Sequence, residues 1–109
     1  MGKRRFTSPN PSGPSSLLGA VPEDRLDLHG ENAVDAVRKL GWFIDRWEHL
    51  RPGAVLEVVT GRGNRSPGAP VLQPTIQRAL DKEFADRIEQ WVHQPGGGAF
   101  LIRLRKRST

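Results

Sequence analysis

The sequence predicts an α/β fold of the two-layer α+β kind, ordered β-α-β-α-β-β, with a four-stranded mixed sheet and two helices on one of its faces. Three observations predict it. Apolar residues recur with a helical period across residues 33–50. This long helix separates two short stretches that read as strands, so those strands are expected to run parallel, as crossover connections require. A shorter helical period then leads into two more strand-like runs joined by Gly96, Gly97 and Gly98. Helices that each bury one stripe against a sheet make a two-layer domain, and 109 residues leave room for one such unit.

Each element has its own local reason. Residues 25–29 (RLDLH) alternate, which turns Leu26 and Leu28 inward and sets Asp27 and His29 together on the other side. Gly30 ends this strand, and Asn32 is placed to cap the next helix. From 33 to 50 the apolar positions 33, 36, 37, 40, 43, 44, 47 and 50 form one stripe, with Phe43 and Trp47 as core residues. Arg51, Pro52 and Gly53 stop the helix. Residues 54–60 (AVLEVVT), β-branched and nearly continuous in apolar character, read as a central strand. Residues 61–70 read as a loop. A second helix is expected over about 71–83, with Pro74 in its first turn, where a missing N–H is tolerated. Its buried side is Val71, Leu72, Thr75, Ile76, Ala79 and Leu80. Residues 87–92 make a third strand and 99–105 the last, with Phe100, Ile102 and Leu104 facing the core and Leu101, Arg103 and Arg105 facing away.

Composition removes several classes of function. The absence of cysteine excludes disulfides, thiolate metal sites, iron–sulfur clusters and a cysteine nucleophile. No apolar run approaches the ~20 residues of a membrane helix, and the basic start is not followed by an apolar signal core. The expectation is a soluble, cytoplasmic protein. The formal charge of +5 is concentrated at the ends. Residues 1–25 sum to +2 and residues 101–109 to +4, leaving −1 for residues 26–100. Basic ends of this kind attract nucleic acid in a salt-sensitive way, or simply confer solubility. Residues 7–16 (TSPNPSGPSS) cannot offset their ordering entropy by burial. The expected organisation is therefore a flexible Pro/Ser-rich basic tail over 1–22, a folded domain over 23–105 and a basic end over 106–109.

Three groups carry chemical potential. Asp27 and His29 lie on one side of a strand end, ~6.6 Å apart along the strand. An acid and an imidazole at that spacing suit proton transfer around a phosphodiester, although such a pair also serves merely to bond loop backbone. Gly61, Arg62, Gly63 and Asn64 follow the second strand. Glycines there let the backbone approach a ligand closely, turn amides can cradle an anion, and Arg62 adds a planar phosphate contact. The turn is neither a Walker loop nor a dinucleotide fingerprint. Arg65 and Ser66 then lead into the second helix, whose N-terminus suits a phosphate. Two parallel strands ending side by side bring the first two groups to one sheet edge, where open α/β sheets bind ligands. His49 and His93 are weaker candidates, and Trp91 reads as a packing residue. No three-ligand metal motif occurs. The cofactor requirement is open: the sequence accommodates Mg²⁺ or another divalent cation, held through Asp27 and a substrate phosphate.

Taken together, residues 26–30 (LDLHG), 60–64 (TGRGN), 66–72 (SPGAPVL) and the Gly97-Gly98-Ala99 step before a final apolar strand resemble the small MutS-related (Smr) domain, over about residues 24–105. The resemblance implies a fold like the C-terminal domain of translation initiation factor three. It also implies a nucleic-acid-binding protein and an endonuclease that nicks DNA or cleaves RNA. By position, Asp27 and His29 match the family's DxH pair tied to cleavage, and Gly61 and Gly63 match its G-x-G turn. Thr60 stands where many members have His, which removes one proton-transfer group from the edge. The rival reading is a non-catalytic RNA- or ribosome-binding module using the same surface. A protein-interaction domain is a third class. The sequence does not set the choice between DNA and RNA, the oligomeric state or the pathway.

Overall fold

A computed structural model of the chain describes residues 17–61 and 72–106. Arg62, Gly63, Asn64, Arg65 and Ser66 lie outside the described residues, as do 1–16 and 107–109. The elements are β1 (Asp24–Asp27), α1 (Ala33–Leu50), β2 (Val55–Val59), α2 (Leu72–Asp81), a 3₁₀ turn (Ala85–Arg87), β3 (Ile88–His93) and β4 (Ala99–Leu104). The sheet order is β1-β2-β4-β3. β1 runs parallel to β2 with Asp27 beside Val59, while β4 is antiparallel to both β2 and β3. The expected mixed, two-layer α+β architecture is therefore present.

Helix α1 starts and stops where its sequence demands. Asn32, in extended backbone, accepts the Asp35 amide on its side chain at 2.8 Å and so satisfies one of the orphan donors of the first turn. At the other end the Arg51 amide donates to Trp47 O at 2.8 Å, and Pro52 follows. The main core lies between the helices and one sheet face. Ala36, Leu40, Phe43 and Ile44 of α1 and Leu72, Ile76, Ala79 and Leu80 of α2 meet Leu56, Val58, Phe100, Ile102 and Leu104. Each large apolar side chain fully buried there contributes about 1.5–3 kcal/mol. Trp47 and Trp91 pack against the margins of this core and donate their indole N–H groups to Asp24 at 3.2 Å and Asp81 at 2.8 Å.

Several boundaries differ from the expectations. The first strand ends at Asp27 rather than His29, because the Asp27 carboxylate accepts the His29 backbone amide at 3.1 Å and turns the chain out of the strand. The second helix ends at Asp81, and the third strand starts one residue later than expected, at Ile88. The 3₁₀ turn before it was not legible in the sequence. Arg87 ties that turn to α1 by reaching Asp45 and, at 2.8 Å, Glu48. Leu101 points away from the helices, yet it is buried together with Leu17 and Val55, and Leu18, Ala20 and Val92 pack beside them. Residues 17–20, read in the sequence as tail, thus cover the outer face of the sheet. The physical reason is that Val55 and Leu101, adjacent to the pair Leu56–Ile102 in the ladder, form an apolar patch on that face. Among the described residues, no helix is long and apolar enough to cross a membrane.

If Leu17 is a core residue, Leu17→Ala lowers the unfolding free energy by about 2–4 kcal/mol, read as a shift of the urea midpoint without a change in slope. A residue of a free tail would give no shift.

Candidate active site

Three connections meet at one end of the sheet. β1 and β2 both finish there, and the turn joining β3 to β4 comes back to the same end. The amides of Thr60 and Gly61 both donate to Gly98 O, at 2.9 and 3.0 Å. The Leu28 amide donates to Val59 O at 2.7 Å, which holds the residues after β1 against the end of β2. Gly30, with φ +83°, then reverses the chain into α1.

This framework brings His29 against Gly61. Gly61 has φ +75°, and a Cβ built on it would stand 3.3 Å from the His29 Cβ. Gly61 is therefore required twice: for a left-handed backbone that other residues reach only with strain, and for the space His29 occupies. Of the residues singled out from the sequence, the structure brings together Asp27, His29 and Gly61. It says nothing of Arg62, Gly63, Asn64 and Arg65, which lie outside the described residues.

Asp27 and His29 form a dyad rather than two separate groups. The Asp27 Oδ1 atom lies 2.8 Å from His29 Nδ1 and also accepts the His29 backbone amide at 3.1 Å. An ionised carboxylate only accepts, so Nδ1 carries the proton and the neutral ring keeps its lone pair on Nε2. Both side chains are open to solvent, 51% exposed for Asp27 and 70% for His29. The hydrogen bond from Asp27, aided by its negative charge, holds the His29 pKa above the ordinary 6.5. The two bonds from His29 hold the Asp27 carboxyl below its ordinary 3.8. The consequence is chemical: an imidazole of fixed orientation presents Nε2 outward at an accessible edge. With Oδ1 engaged, Oδ2 is the carboxylate atom left for a cation. Among the described residues, no group of three or more His, Asp or Glu side chains gathers to hold a metal ion.

Other side chains sort themselves by position. Thr60 is buried, and its hydroxyl donates to Gly61 O at 3.1 Å, so this residue shapes the turn and presents no proton-transfer group. His93 ends β3 at the same end of the sheet, but its ring lies on Phe100 with centroids 4.7 Å apart. β3 is the strand farthest from β1 in the order, three interstrand spacings or ~14 Å across. His93 is therefore outside the dyad. His49 caps its own helix turn through Asp45 O at 2.8 Å. Sequence reasoning missed Gln73, whose side-chain amide donates to Gly61 O at 3.3 Å and to Gly97 O, pinning both glycine connections to the first turn of α2. Its one signal was a polar residue set between the buried Leu72 and Ile76 in a first turn facing two glycine loops. On the outer sheet face, the side Asp27 occupies, a shallow groove of about 290 Å³ runs over Val59 between Arg25, Glu57 and Gln94.

A family model described as the Smr domain matches residues 26–105. The chain is 38% identical, over 109 residues, to an uncharacterised protein of Treponema pallidum (strain Nichols), in an alignment covering 98% of this chain and 53% of that protein. It thus spans about half the length of this curated relative. Among solved structures it is similar to the crystal structure of a human small-MutS related domain, with a TM-score of 0.56 and 25% identity, covering 73% of this chain and 99% of that one.

The dyad predicts a titration. In a pH series followed by the imidazole proton resonances, His29 stays protonated to higher pH than a free imidazole, and Asp27→Asn moves its midpoint down toward 6.5. A His29 midpoint unmoved by Asp27→Asn contradicts the hydrogen bond. Gly61→Ala should alter the same resonance by displacing His29.

Proposed function

The chain belongs to the Smr domain family, and from that premise we propose that it is a nucleic-acid-binding endonuclease that hydrolyses phosphodiester bonds of DNA or RNA in the cytoplasm. The observation that carries the reading is the Asp27–His29 dyad held against Gly61 on an exposed sheet end. His29 Nε2 takes a proton from the water that attacks phosphorus, the P–O bond to the leaving oxygen breaks, and that oxygen is protonated from solvent or by the imidazolium just formed. Asp27 is a positioning residue. It selects the tautomer, orients the ring and stabilises its charged form. Gly61, Arg62, Gly63, Asn64 and Arg65 bind the phosphates flanking the break. A Mg²⁺ or other divalent ion held by Asp27 Oδ2 and substrate phosphate would neutralise phosphate charge.

A second reading, a non-catalytic RNA- or ribosome-binding module on the same surface, draws support from Thr60. Its buried hydroxyl leaves the edge with one imidazole where many family members have another.

Cleavage separates the readings. Supercoiled plasmid and structured RNA are incubated with wild type, His29→Ala and Asp27→Ala, with Mg²⁺ and with a chelator, and binding is measured in parallel. The nuclease reading expects His29→Ala to lose about 10²–10⁴ in rate with affinity retained. Wild-type cleavage no faster than that of His29→Ala assigns the surface to binding alone. The basic start is tested separately. Removing residues 1–16 deletes Lys3, Arg4 and Arg5 and keeps Leu17. Binding should weaken, and the slope of log affinity against log salt should become shallower. An unchanged slope removes that segment from the interface.

A further inference from the structure

We propose that the groove on the outer sheet face beside the dyad is a subsite for one unpaired guanine, read by Arg25, Glu57 and Gln94, in the nucleotide next to the phosphodiester held at His29. The proposal rests on the nucleic-acid part of the reading above, names a base for it and does not require cleavage.

The groove and the dyad share one face. Leu26 and Val58 turn toward the helices, so Arg25 and Asp27 of β1 and Glu57 and Val59 of β2 turn the other way. Arg25 pairs with Glu57 in the ladder and Asp27 with Val59. Val59, which lines the groove, is therefore one interstrand spacing, ~4.8 Å, from Asp27. Ala99, opposite Val59 in the ladder, continues the floor. Leu17, Leu18 and Ala20 cover the same face nearer the start of β2. A nucleotide engaged at His29 thus has its base within reach of this groove.

The wall of the groove carries an ordered set of polar groups. Gln94 Nε2 donates to Glu57 Oε2 at 2.8 Å, which fixes the amide and leaves Gln94 Oε1 without a hydrogen bond among the described residues. Arg25 Nε stands 4.0 Å from Glu57 Oε1, too far for a hydrogen bond but near enough to balance its charge. The Arg25 side chain is 64% exposed and that of Glu57 only 21%. A carboxylate balanced in this way favours a neutral ligand over a metal ion or a second phosphate. Read from β1 across β2 toward the end of β3, the wall offers donor, acceptor, acceptor: guanidinium, carboxylate, amide oxygen. The Watson–Crick edge of guanine is the complement, with O6 accepting and N1–H and the N2 amine donating. Cytosine repeats the pattern of the wall and meets it with like groups. Uracil and thymine set a carbonyl against Gln94 Oε1, and adenine has an acceptor where the carboxylate lies. The volume, about 290 Å³, is near the lower end for small-ligand sites and suits one nucleotide unit. Its floor, Val59 and Ala99, suits the apolar face of a base. A paired guanine hides this edge, so the substrate that fits is unpaired at that nucleotide.

The test is binding of the full chain to eight-nucleotide oligouridylates that carry one central guanosine, inosine, adenosine or cytidine, or uridine alone, followed by fluorescence anisotropy in chelator so that cleavage plays no part. Wild type should bind the guanosine strand about 5- to 150-fold more tightly than the uridine strand, the worth of one bidentate base contact. Inosine, which lacks the N2 amine, should fall between them. That comparison needs only wild-type protein. Glu57→Ala should abolish the preference and leave affinity for the uridine strand unchanged. Gln94→Ala should bring guanosine down to the level of inosine. Annealing the guanosine strand to its complement should also remove the preference. Equal affinity for all five strands overturns the proposal. So does a preference for adenosine or cytidine, equal binding of guanosine and inosine by wild type, or a guanosine preference that survives Glu57→Ala. Wild-type protein that binds none of the strands overturns this inference and the nucleic-acid reading together. Guanosine-selective binding without cleavage in Mg²⁺ supports the subsite and overturns the nuclease reading alone.

Discussion

The approach of Gly61 to His29 is the contact on which the sheet edge depends. Two segments about thirty residues apart in sequence meet because β1 and β2 pair in parallel with Asp27 beside Val59. The chains leaving those strands are then neighbours, and one of them must yield space. Gly61 yields it, having no Cβ and tolerating φ +75°. Around this contact the remaining pieces follow. Gly98 O accepts both amides at the end of β2, and Gln73 closes the arrangement from α2. A side chain at position 61 would push against His29, and through His29 against the hydrogen bond to Asp27.

That hydrogen bond is a chemical device rather than a structural one. Both groups are largely exposed, and an exposed pair is worth little to stability in water. Its effect is on the imidazole: one nitrogen is occupied by an acceptor, the other is left to solvent, and the protonated form persists to higher pH than in a free ring. Thr60, turned inward beneath the same edge, contributes shape to the turn and no second titrating group. The edge is thus a one-imidazole site whose ring is aimed by a carboxylate.

The two faces of the sheet explain why this end stays open. Helices α1 and α2 cover one face along its length. On the other face Leu17, Leu18 and Ala20 lie over Val55, Leu101 and Val92, toward the start of β2. Neither layer extends across Asp27 and His29, which remain accessible where three connections converge.

Much of this was legible locally. Alternation in residues 25–29 separated Leu28, fully buried, from the exposed Asp27 and His29. The apolar period of α1, its Asn32 cap and its stop at Arg51 to Gly53 marked both ends of the helix, because capping and periodicity are properties of neighbouring residues. Resemblance of a few short motifs pointed to the family that the match over 26–105 establishes. What tertiary structure alone decided were the relations between distant segments. The residue count between Asp27 and His29 placed their backbone positions ~6.6 Å apart along a strand, whereas the turn at Asp27 lets the two side chains bond to each other, with Oδ1 2.8 Å from Nδ1. Leu101 alternates outward as expected and is buried all the same, since only folding brings Leu17 over it. Gln73 carries no motif and matters because α2 docks beside two glycine turns. Side-chain direction is set by the local backbone, whereas proximity is set by strand order and pairing, and no local pattern encodes those.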